Sequence, residues 1–424
     1  MTISSSPETD TPIAEPTPHA GDWHAMRVVA TMRGLTFLGD ITAATAVELS
    51  LQSRGYGGFT IASVLLAATL PPVLLGPISG RVVDRFGKTS VLMTTALFQL
   101  VLSAAMLFTS DRFVWTAIIA GLGAGVAFSH PVFGSLPGTL MRSDQQAKAA
   151  SLSQMSAMAG MLCAPALGAL LFGQFGVVAA FGVNTASFAV VVLGAVLLRE
   201  PVGRASGQRS KTTATSTDLS AEPGRRYRIL SDRGLVAVLS ANGVLMLGAS
   251  TINVYIVFLV RDTLGGSATS YGIVGSAWMA GLIPGALLVG RVKASPERLL
   301  LASFALVGLG ILGAGMSPTV WVLLPFYFIG GLGNGAGATA THVYLNTSVP
   351  EEFRGRAFAA LGMVSNSGPA FGMLVGGALL SVVTPRTGFL VAAVLVLGTL
   401  AVVSSPLLRT AGGSTTRHQQ QMSA

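Results

Sequence analysis

Two acidic residues stand inside an apolar segment near the start of the chain. Asp40 lies near the middle of the apolar run 26–49, and Glu48 lies near its end. A charged Asp at the centre of a bilayer costs about 2.5–3.5 kcal/mol, so acidic residues in such segments usually face a cavity or a partner. We therefore predict that Asp40 and Glu48 bind and release protons. The alternatives are a structural hydrogen bond for Asp40 and a water-facing rim for Glu48.

Further polar residues interrupt the apolar runs and are candidates for lining a substrate cavity. Arg33 precedes Asp40 by two helical turns on the same face, which makes it a candidate partner of that carboxylate. Most polar residues in such runs form hydrogen bonds between helices, worth about 0.6 kcal/mol each. The predicted cavity residues are Arg33, Gln99, His130, Asn253, Tyr255 and Asn334, with Asn184, Asn242, His342, Asn346 and Asn366 as further candidates.

The composition identifies the elements that must position these side chains. Hydrophobic residues make up 51% of the 424 residues, and charged residues only 10%. A soluble domain carries about 25% charged residues to solvate its surface, so most of this surface must face lipid. The 52 glycines agree with close packing of lipid-embedded helices. The fold class predicted is an all-α polytopic membrane protein.

About twelve apolar runs approach the ~20 residues that cross a ~30 Å hydrocarbon core. The predicted spans are 26–49, 59–79, 90–110, 113–133, 149–172, 175–198, 234–260, 269–290, 299–317, 319–343, 357–382 and 386–408. With both termini inside, only Arg54, Arg112, Arg261 and Arg386 of the 26 Lys and Arg residues lie in outer loops. That bias is typical of short cytoplasmic loops, so an even number of spans is predicted.

The spans divide into two bundles of six. We predict a disordered cytoplasmic tail over 1–24, bundles over 25–198 and 234–408, a cytoplasmic linker over 199–233 and a cytoplasmic tail over 409–424. Two short sequences recur about 210 residues apart: GRV at 80 and 290, and GALL at 168 and 377. Trp115 and Trp321 open the fourth and tenth spans, where indole rings settle at the outer interface. The bundles are therefore predicted to be copies.

The loop after the second span, GRVVDRFGK at 80–88, resembles the G-x-x-x-D-[RK]-x-G-[RK] signature of the major facilitator superfamily. The resemblance implies twelve transmembrane helices in two pseudo-symmetric six-helix bundles. It also implies a cytoplasmic gating motif formed by Gly80, Asp84, Arg85, Gly87 and Lys88. In the family the acidic residue contacts the start of the eleventh helix, here near 351–356, and a basic residue, here Arg142. A charged turn without a gating role is the alternative.

The fifth span contains GMLCAPALG at 160–168, which is similar to the antiporter motif G-x-x-x-G-P-x-x-G of the same family. Gly160, Pro165 and Gly168 match the motif, whereas Ala164 and the following Ala169 depart from the usual glycines. The motif implies export, and Gly-rich packing without directional meaning is the alternative. The Gly39-Asp40 pair in the first span also resembles the macrolide-efflux and enterobactin-exporter branch. The resemblance favours Asn253 and Tyr255, because the first and seventh helices line the family's central cavity.

These patterns predict a proton-coupled exporter of a small lipophilic neutral or cationic compound, because Lys and Arg are absent from span centres. Proton-symport uptake of a nutrient, a receptor-like protein and a membrane enzyme are the alternatives. No P-loop, nucleophile–base set or metal spacing is present, and the single Cys163 excludes an internal disulfide. The predicted partners are a small-molecule substrate, protons and membrane lipids. We expect no cofactor, metal or nucleic acid, and a monomer in the inner (plasma) membrane with both termini cytoplasmic.

Overall fold

The computed structural model describes residues 22–202, 233–292 and 294–422 of the chain. The predicted N-terminal tail (1–24) and the linker (199–233) therefore lie almost wholly outside the described residues. The side chains of residues 233, 352, 366 and 406–422 also lie outside them. Within the described ranges the long elements are helices, and no β-strand occurs.

Six long helices form the first half. They are α1 (Trp23–Ser53), α2 (Gly58–Phe86), α3 (Lys88–Ala105, continued by a 3₁₀ turn at Met106–Phe108), α4 (Arg112–Leu140), α5 (Gln146–Phe175) and α6 (Val177–Leu197). The first of them begins at a capping residue: the Asp22 carboxylate caps α1 by accepting a hydrogen bond from the backbone N–H of Ala25 at 2.9 Å.

Six further long helices form the second half. They are α7 (Arg233–Phe258, continued by a π-helical turn at Leu259–Thr263), α8 (Ala268–Val289), α9 (Pro296–Met316), α10 (Val320–Ser348), α11 (Glu351–Leu379) and α12 (Pro385–Met422). The predicted break at Ser317-Pro318 is confirmed, since α9 ends just before it and α10 begins just after it.

Eleven of these twelve helices are long and apolar enough to span a membrane. The exception among the described helices is α1, whose hydropathy is lowered by Arg27, Arg33, Asp40 and Glu48. The backbone of α12 stays helical through the predicted tail segment as far as Met422. The placement of that segment on the cytoplasmic side stays a prediction.

Large apolar side chains cover much of the bundle surface. Phe108 is 88% exposed, Val382 81% and Trp321 70%, as expected where the surroundings are lipid rather than water. Trp115 lies in the first turn of α4, and its side chain is fully buried against other helices. Its position at the outer interface stays a prediction. Its ring packs edge-on against Phe181, with the centroids 5.4 Å apart.

The two halves repeat the same helix crossing. The Thr42 hydroxyl of α1 donates to the carbonyl of Ala164 in α5 at 3.3 Å, and Thr251 of α7 donates to the carbonyl of Gly372 in α11 at 2.9 Å. The donors lie 209 residues apart (251 − 42) and the acceptors 208 (372 − 164). The structure thus confirms the two-copy organisation. In the structure Gly376, and not Gly377, corresponds to Gly168, because Gly376 packs on Thr251 as Gly168 packs on Thr42. The two GALL segments therefore align one residue differently from the prediction.

The halves meet near the C-terminal end of α1, which we call the Glu48 end of the bundle; the opposite end is the Asp84 end. The Gln52 side chain of α1 donates to Asp262 at 2.6 Å and accepts from Arg261 at 3.3 Å, both in the π-helical turn after α7. Close to the same end, a side chain placed at Gly377 of α11 would collide with Ala62 of α2. These contacts join the two halves at the Glu48 end.

Candidate functional site

Helix α1 carries the two predicted proton-binding residues on neighbouring faces. Asp40 and Glu48 are eight residues apart, which corresponds to about 12 Å along a helix and about 80° around it. Gly39 brings this part of α1 against α6, where an added side chain would meet the Asn184 amide oxygen at 2.7 Å. The two carboxylates can therefore face two different spaces.

Asp40 faces a cavity of about 250 Å³ inside the first half. Its walls come from α1, α2, α4 and α6, and they are apolar apart from Asp40, Glu48 and Asn184. No described side chain forms a hydrogen bond with the Asp40 carboxylate. An acidic group without a partner in an apolar cavity has the surroundings expected of a group that exchanges a proton.

Glu48 lies between the two halves of the molecule. The Tyr271 hydroxyl of α8 donates a hydrogen bond to its carboxylate, and Tyr327 of α10 interacts electrostatically with the same group. Glu48 also lines a second cavity of about 210 Å³, together with Asn253, Tyr271 and Tyr327. The reading of Glu48 as a residue at a watery rim therefore does not fit its position.

The two cavities have a common wall. Ile41, Ala44 and Glu48 of α1 and Leu65 of α2 line both of them. Asp40 belongs only to the cavity inside the first half, and Asn253 only to the cavity between the halves. Helix α1 therefore separates a space within one bundle from a space that exists only while the bundles stay together.

The predicted antiporter motif packs α5 against two helices. A Cβ at Gly160 would collide with the Gly34 carbonyl of α1, and one at Gly168 would come within 2.6 Å of the Thr42 carbonyl oxygen. On another side, Pro165 lies against Gly275 of α8 and lines the cavity between the halves. The three motif residues thus bring α5 close to α1 and to the second half.

A hydrogen bond next to Pro165 joins α5 to the second half. Proline has no N–H and removes one helical hydrogen bond. The backbone N–H of the next residue, Ala166, donates to the Ser276 hydroxyl of α8 at 3.3 Å. The segment around Pro165 therefore contributes a hydrogen bond between the bundles.

The predicted gating motif forms the turn between α2 and α3. Gly87 has φ = 80°, a conformation that favours glycine, and its N–H donates to the Val83 carbonyl at 3.0 Å. Lys88 donates to the Thr139 hydroxyl of α4 at 2.5 Å, and the Arg85 guanidinium lies 5.6 Å from the centre of the Phe86 ring. A side chain at Gly80 would meet nothing within 4 Å.

Asp84 and Arg142 are not brought together in this structure. Asp84 is exposed, and Arg142 forms an ion pair with Asp144 at 3.5 Å. The predicted contact between Asp84 and Arg142 is therefore not formed at the Asp84 end, whereas Gln52 and Asp262 join the halves at the Glu48 end. The gating role of this motif stays a prediction for a state in which the Asp84 end is closed.

Arg33 does not pair with Asp40. Its guanidinium donates to Ser153 at 3.3 Å and to Gln154 at 3.1 Å, both on α5. It also interacts electrostatically with His130 of α4, whose ring lies 5.7 Å from that of Phe37. Seven residues of helix separate Arg33 and Asp40 along the axis, and the guanidinium turns toward α5 instead.

Two predicted cavity residues take structural positions. Gln99 is buried and donates to the Leu122 carbonyl of α4 at 3.1 Å, which ties α3 to α4. Tyr255 is buried inside the second half, against Gly388 of α12, and does not line either cavity at Glu48. Neither residue lines a cavity at Glu48, because the orientation of a helix about its axis determines which polar side chains face inward. Their contact with substrate stays a prediction.

Asn253 is the predicted residue that does line the cavity between the halves. Asn334 is half-buried in α10, outside both cavities. Of the further candidates, Asn184 lines the Asp40 cavity, and Asn242 donates to the Ser365 hydroxyl at 3.0 Å. The His342 ring lies 5.4 Å from that of Phe358, and Asn346 is exposed. Asn366 is not described.

Sequence reasoning missed the aromatic residues that surround Glu48. Tyr271, Trp278 and Tyr327 line the cavity between the halves, and the rings of Trp278 and Tyr327 lie 5.1 Å apart at 58°. Tyr271 and Trp278 are seven residues apart, two turns along one face of α8. That spacing, next to the small residues Gly272 and Gly275, is the sequence signal that indicates a common aromatic face on α8. In the described ranges no group of three or more His, Cys, Asp or Glu residues could hold a metal ion.

The protein-family model of the Major Facilitator Superfamily matches residues 29–257 and 238–420. An uncharacterized MFS-type transporter, YfiS of Bacillus subtilis (strain 168), is 25% identical over 88% of this chain and 86% of its own length. Macrolide efflux protein A of Enterococcus faecalis is 22% identical over 75% of this chain and all of its own length.

A solved structure of the nucleoside transporter NupG superposes with a TM-score of 0.71 at 12% sequence identity. The match covers 90% of this chain and 99% of that one. At this identity the likeness concerns the fold alone, and it agrees with two bundles of six helices.

Proposed function

Because the chain belongs to the major facilitator superfamily and is a multi-pass membrane transporter, we propose that it is a proton-coupled exporter of a small lipophilic neutral or cationic compound. The observation that carries the proposal is the pair of carboxylates on α1. Asp40 stands unpartnered in an apolar cavity within the first half, and Glu48 stands at the contact with the second half. One helix thus joins a proton site to the surface along which the bundles separate.

The contacts at the two ends support a cycle of alternating access. The bundle is closed at the Glu48 end by the Gln52–Asp262 bond and the packing of Gly377 on Ala62, while Asp84 and Arg142 stay apart at the other end. In the predicted topology the Asp84 end is cytoplasmic, so the substrate enters from the cytoplasm. Opening of the Glu48 end must break the bond between Tyr271 and Glu48.

The proton supplies the driving force. Each charge that moves inward gains about 2.3 kcal/mol per 100 mV of membrane potential. Protonation of Asp40 from outside removes a buried negative charge and permits the return of the empty carrier. This scheme assumes that the protein lies in the plasma membrane with both termini in the cytoplasm.

The direction of transport is supported by two observations. The macrolide efflux protein aligns over its whole length, and the α5 motif places Pro165 against Gly275 of the second half, at the surface along which the halves must move. Nutrient uptake would use the same fold, so the direction must be measured.

The test is efflux of ethidium, a lipophilic cation, and Nile red, a neutral dye, from cells that express the wild type or Asp40→Asn. We expect efflux of at least one dye above the empty-vector background. An uncoupler and the substitution should each abolish it, because both remove proton coupling. Asp111→Asn is the matched control: Asp111 caps α4 through the N–H groups of Phe113 and Val114, and asparagine caps equally well.

Efflux by Asp40→Asn at the wild-type rate under a proton gradient would overturn the assignment of Asp40. Accumulation of the dyes in right-side-out vesicles, driven by an inward proton gradient, would replace export by uptake.

A further inference from the structure

The cavity between the halves has the composition of a cation site. Its walls include the carboxylate of Glu48, the rings of Tyr271, Trp278 and Tyr327, the amide of Asn253 and the thioether of Met279. The residues that line it include no Lys, Arg or His. A buried carboxylate therefore faces aromatic rings without a protein cation to balance it.

Aromatic faces and a carboxylate attract the same ligand. The face of an aromatic ring is negative, so a cation within about 6 Å of its centre is bound, and most strongly where water is excluded. Alkylated ammonium groups fit between aromatic rings, because their methyl groups pack on the ring faces and carry the positive charge close to them. We propose that this cavity binds the alkylated ammonium group of the exported compound, with Glu48 as the counter-ion and Trp278 and Tyr327 as the aromatic walls.

The size of the cavity defines what is bound. Its volume of about 210 Å³ is below the ~300–1,000 Å³ of pockets that enclose a drug-sized ligand. It therefore takes a head group of the size of trimethylammonium, and the rest of the compound lies outside it. Substrate selection at this point rests on the charged group rather than on the whole molecule.

Two glycines of α10 position the aromatic cage, which consists of the rings of Tyr271, Trp278 and Tyr327. A side chain at Gly330 would come within 2.5 Å of the Trp278 ring, and one at Gly331 would collide with the Trp278 carbonyl. Because Gly330 and Gly331 carry no side chains, α10 lies directly against α8. This close approach sets the 5.1 Å separation between the Trp278 and Tyr327 rings. Tyr271 orients Glu48 from the other side through its hydrogen bond.

The site gives the two carboxylates separate tasks. Asp40, in its own cavity, exchanges the proton, and Glu48 receives the organic cation. This division rests on the proposed exporter function, because it takes the space between the halves to be part of the substrate path. The binding itself needs no proton gradient, so it can be measured apart from transport.

The test uses choline and its uncharged carbon isostere, 3,3-dimethyl-1-butanol, which have the same shape and differ in charge. Cys163, the single cysteine, is replaced by Ser. A reporter cysteine is placed by Asn253→Cys in the cage, or by Ala68→Cys in the Asp40 cavity as the matched control. The rate of alkylation by N-ethylmaleimide is measured on the full chain in nanodiscs without a gradient.

We expect choline to slow alkylation of the cysteine at 253 at concentrations where the isostere has no effect, and neither ligand to change alkylation at 68. Glu48→Gln and Trp278→Leu should each weaken the protection by choline about ten- to thirtyfold. Tyr327→Phe, which keeps the ring, should retain it. Monodisperse elution shows that each variant is folded, and protection is measured relative to the same variant without ligand, because Glu48→Gln and Trp278→Leu also change the reactivity of the neighbouring thiol.

Equal protection by choline and the isostere would overturn the proposal, since the cavity would then be apolar only. Absence of protection, or full protection in Glu48→Gln, would also overturn it. None of these results would bear on proton coupling at Asp40. Conversely, dye efflux that is insensitive to Asp40→Asn would leave the cation site standing.

Discussion

The two halves share a framework and differ in chemistry. In each half the first and fifth helices cross at a glycine, and a threonine hydroxyl donates to a carbonyl of the other helix: Thr42 to Ala164 and Thr251 to Gly372. The residues that carry chemistry are not repeated. Positions 209 residues after Arg33, Asp40 and Glu48 are Asn242, Ala249 and Val257.

This difference assigns distinct roles to equivalent helices. α1 provides both carboxylates, whereas Val257 of α7, at the position of Glu48, is fully buried in the second half. The second half contributes the uncharged partners instead, Tyr271, Trp278 and Tyr327. A duplicated scaffold can thus keep its packing in both copies while one copy takes the ionisable groups.

The largest expected effect comes from moving the carboxylate between the halves. In an Asp40→Asn background, Ala249→Asp places an acid at the equivalent position of α7. We expect ethidium efflux to stay at the empty-vector level, because Ala249 does not line the cavity that surrounds Asp40. The assay is dye efflux at matched expression levels.

Recovery of uncoupler-sensitive efflux in the double variant would show that the halves are interchangeable in proton coupling. Ala249→Asp alone is the control for damage to the fold, and it should transport like the wild type.

A smaller effect should separate the two helix crossings. A Cβ at Gly168 would lie 2.6 Å from the Thr42 carbonyl oxygen, whereas one at Gly376 would lie 3.3 Å from that of Thr251. Gly168→Ala should therefore lower the free energy of unfolding by about 1–3 kcal/mol, and Gly376→Ala by less than about 1 kcal/mol. Unfolding by SDS in mixed micelles, followed by tryptophan fluorescence, measures both; equal losses would contradict the tighter crossing in the first half.

The smallest effect concerns the repeated hydrogen bond itself. Thr42→Val and Thr251→Val keep the shape of the side chain and remove the donor. Each should lower the free energy of unfolding by about 0.6 kcal/mol, the typical value for such bonds between membrane helices. The same SDS titration measures the losses, and a substantial loss in one variant alone would mean that the bonds are not equivalent.

Sequence reasoning located the helices better than their faces. Apolar length defines a span, so the break at Ser317-Pro318 and the turn at Gly87 were predicted correctly. In lipid, however, apolar side chains suit every face of a helix, so composition does not reveal which side faces inward. This is why composition did not indicate that the side chains of Tyr255 and Trp115 face the protein interior.

The candidate site was predicted in part. Asp40, Glu48 and Asn253 were chosen because polar groups in apolar runs are costly, and all three line the cavities. The aromatic cage was not predicted, since aromatic residues in a membrane segment carry no comparable energetic cost. The pairing of Arg33 with α5 depended on the approach of two helices 120 residues apart in the chain.

The wall that Ile41, Ala44, Glu48 and Leu65 share has a mechanical consequence. Because these four residues border both cavities, a displacement of any one of them changes the walls of both. A turn of α1 about its own axis therefore reshapes the Asp40 cavity and the cavity between the halves in the same movement.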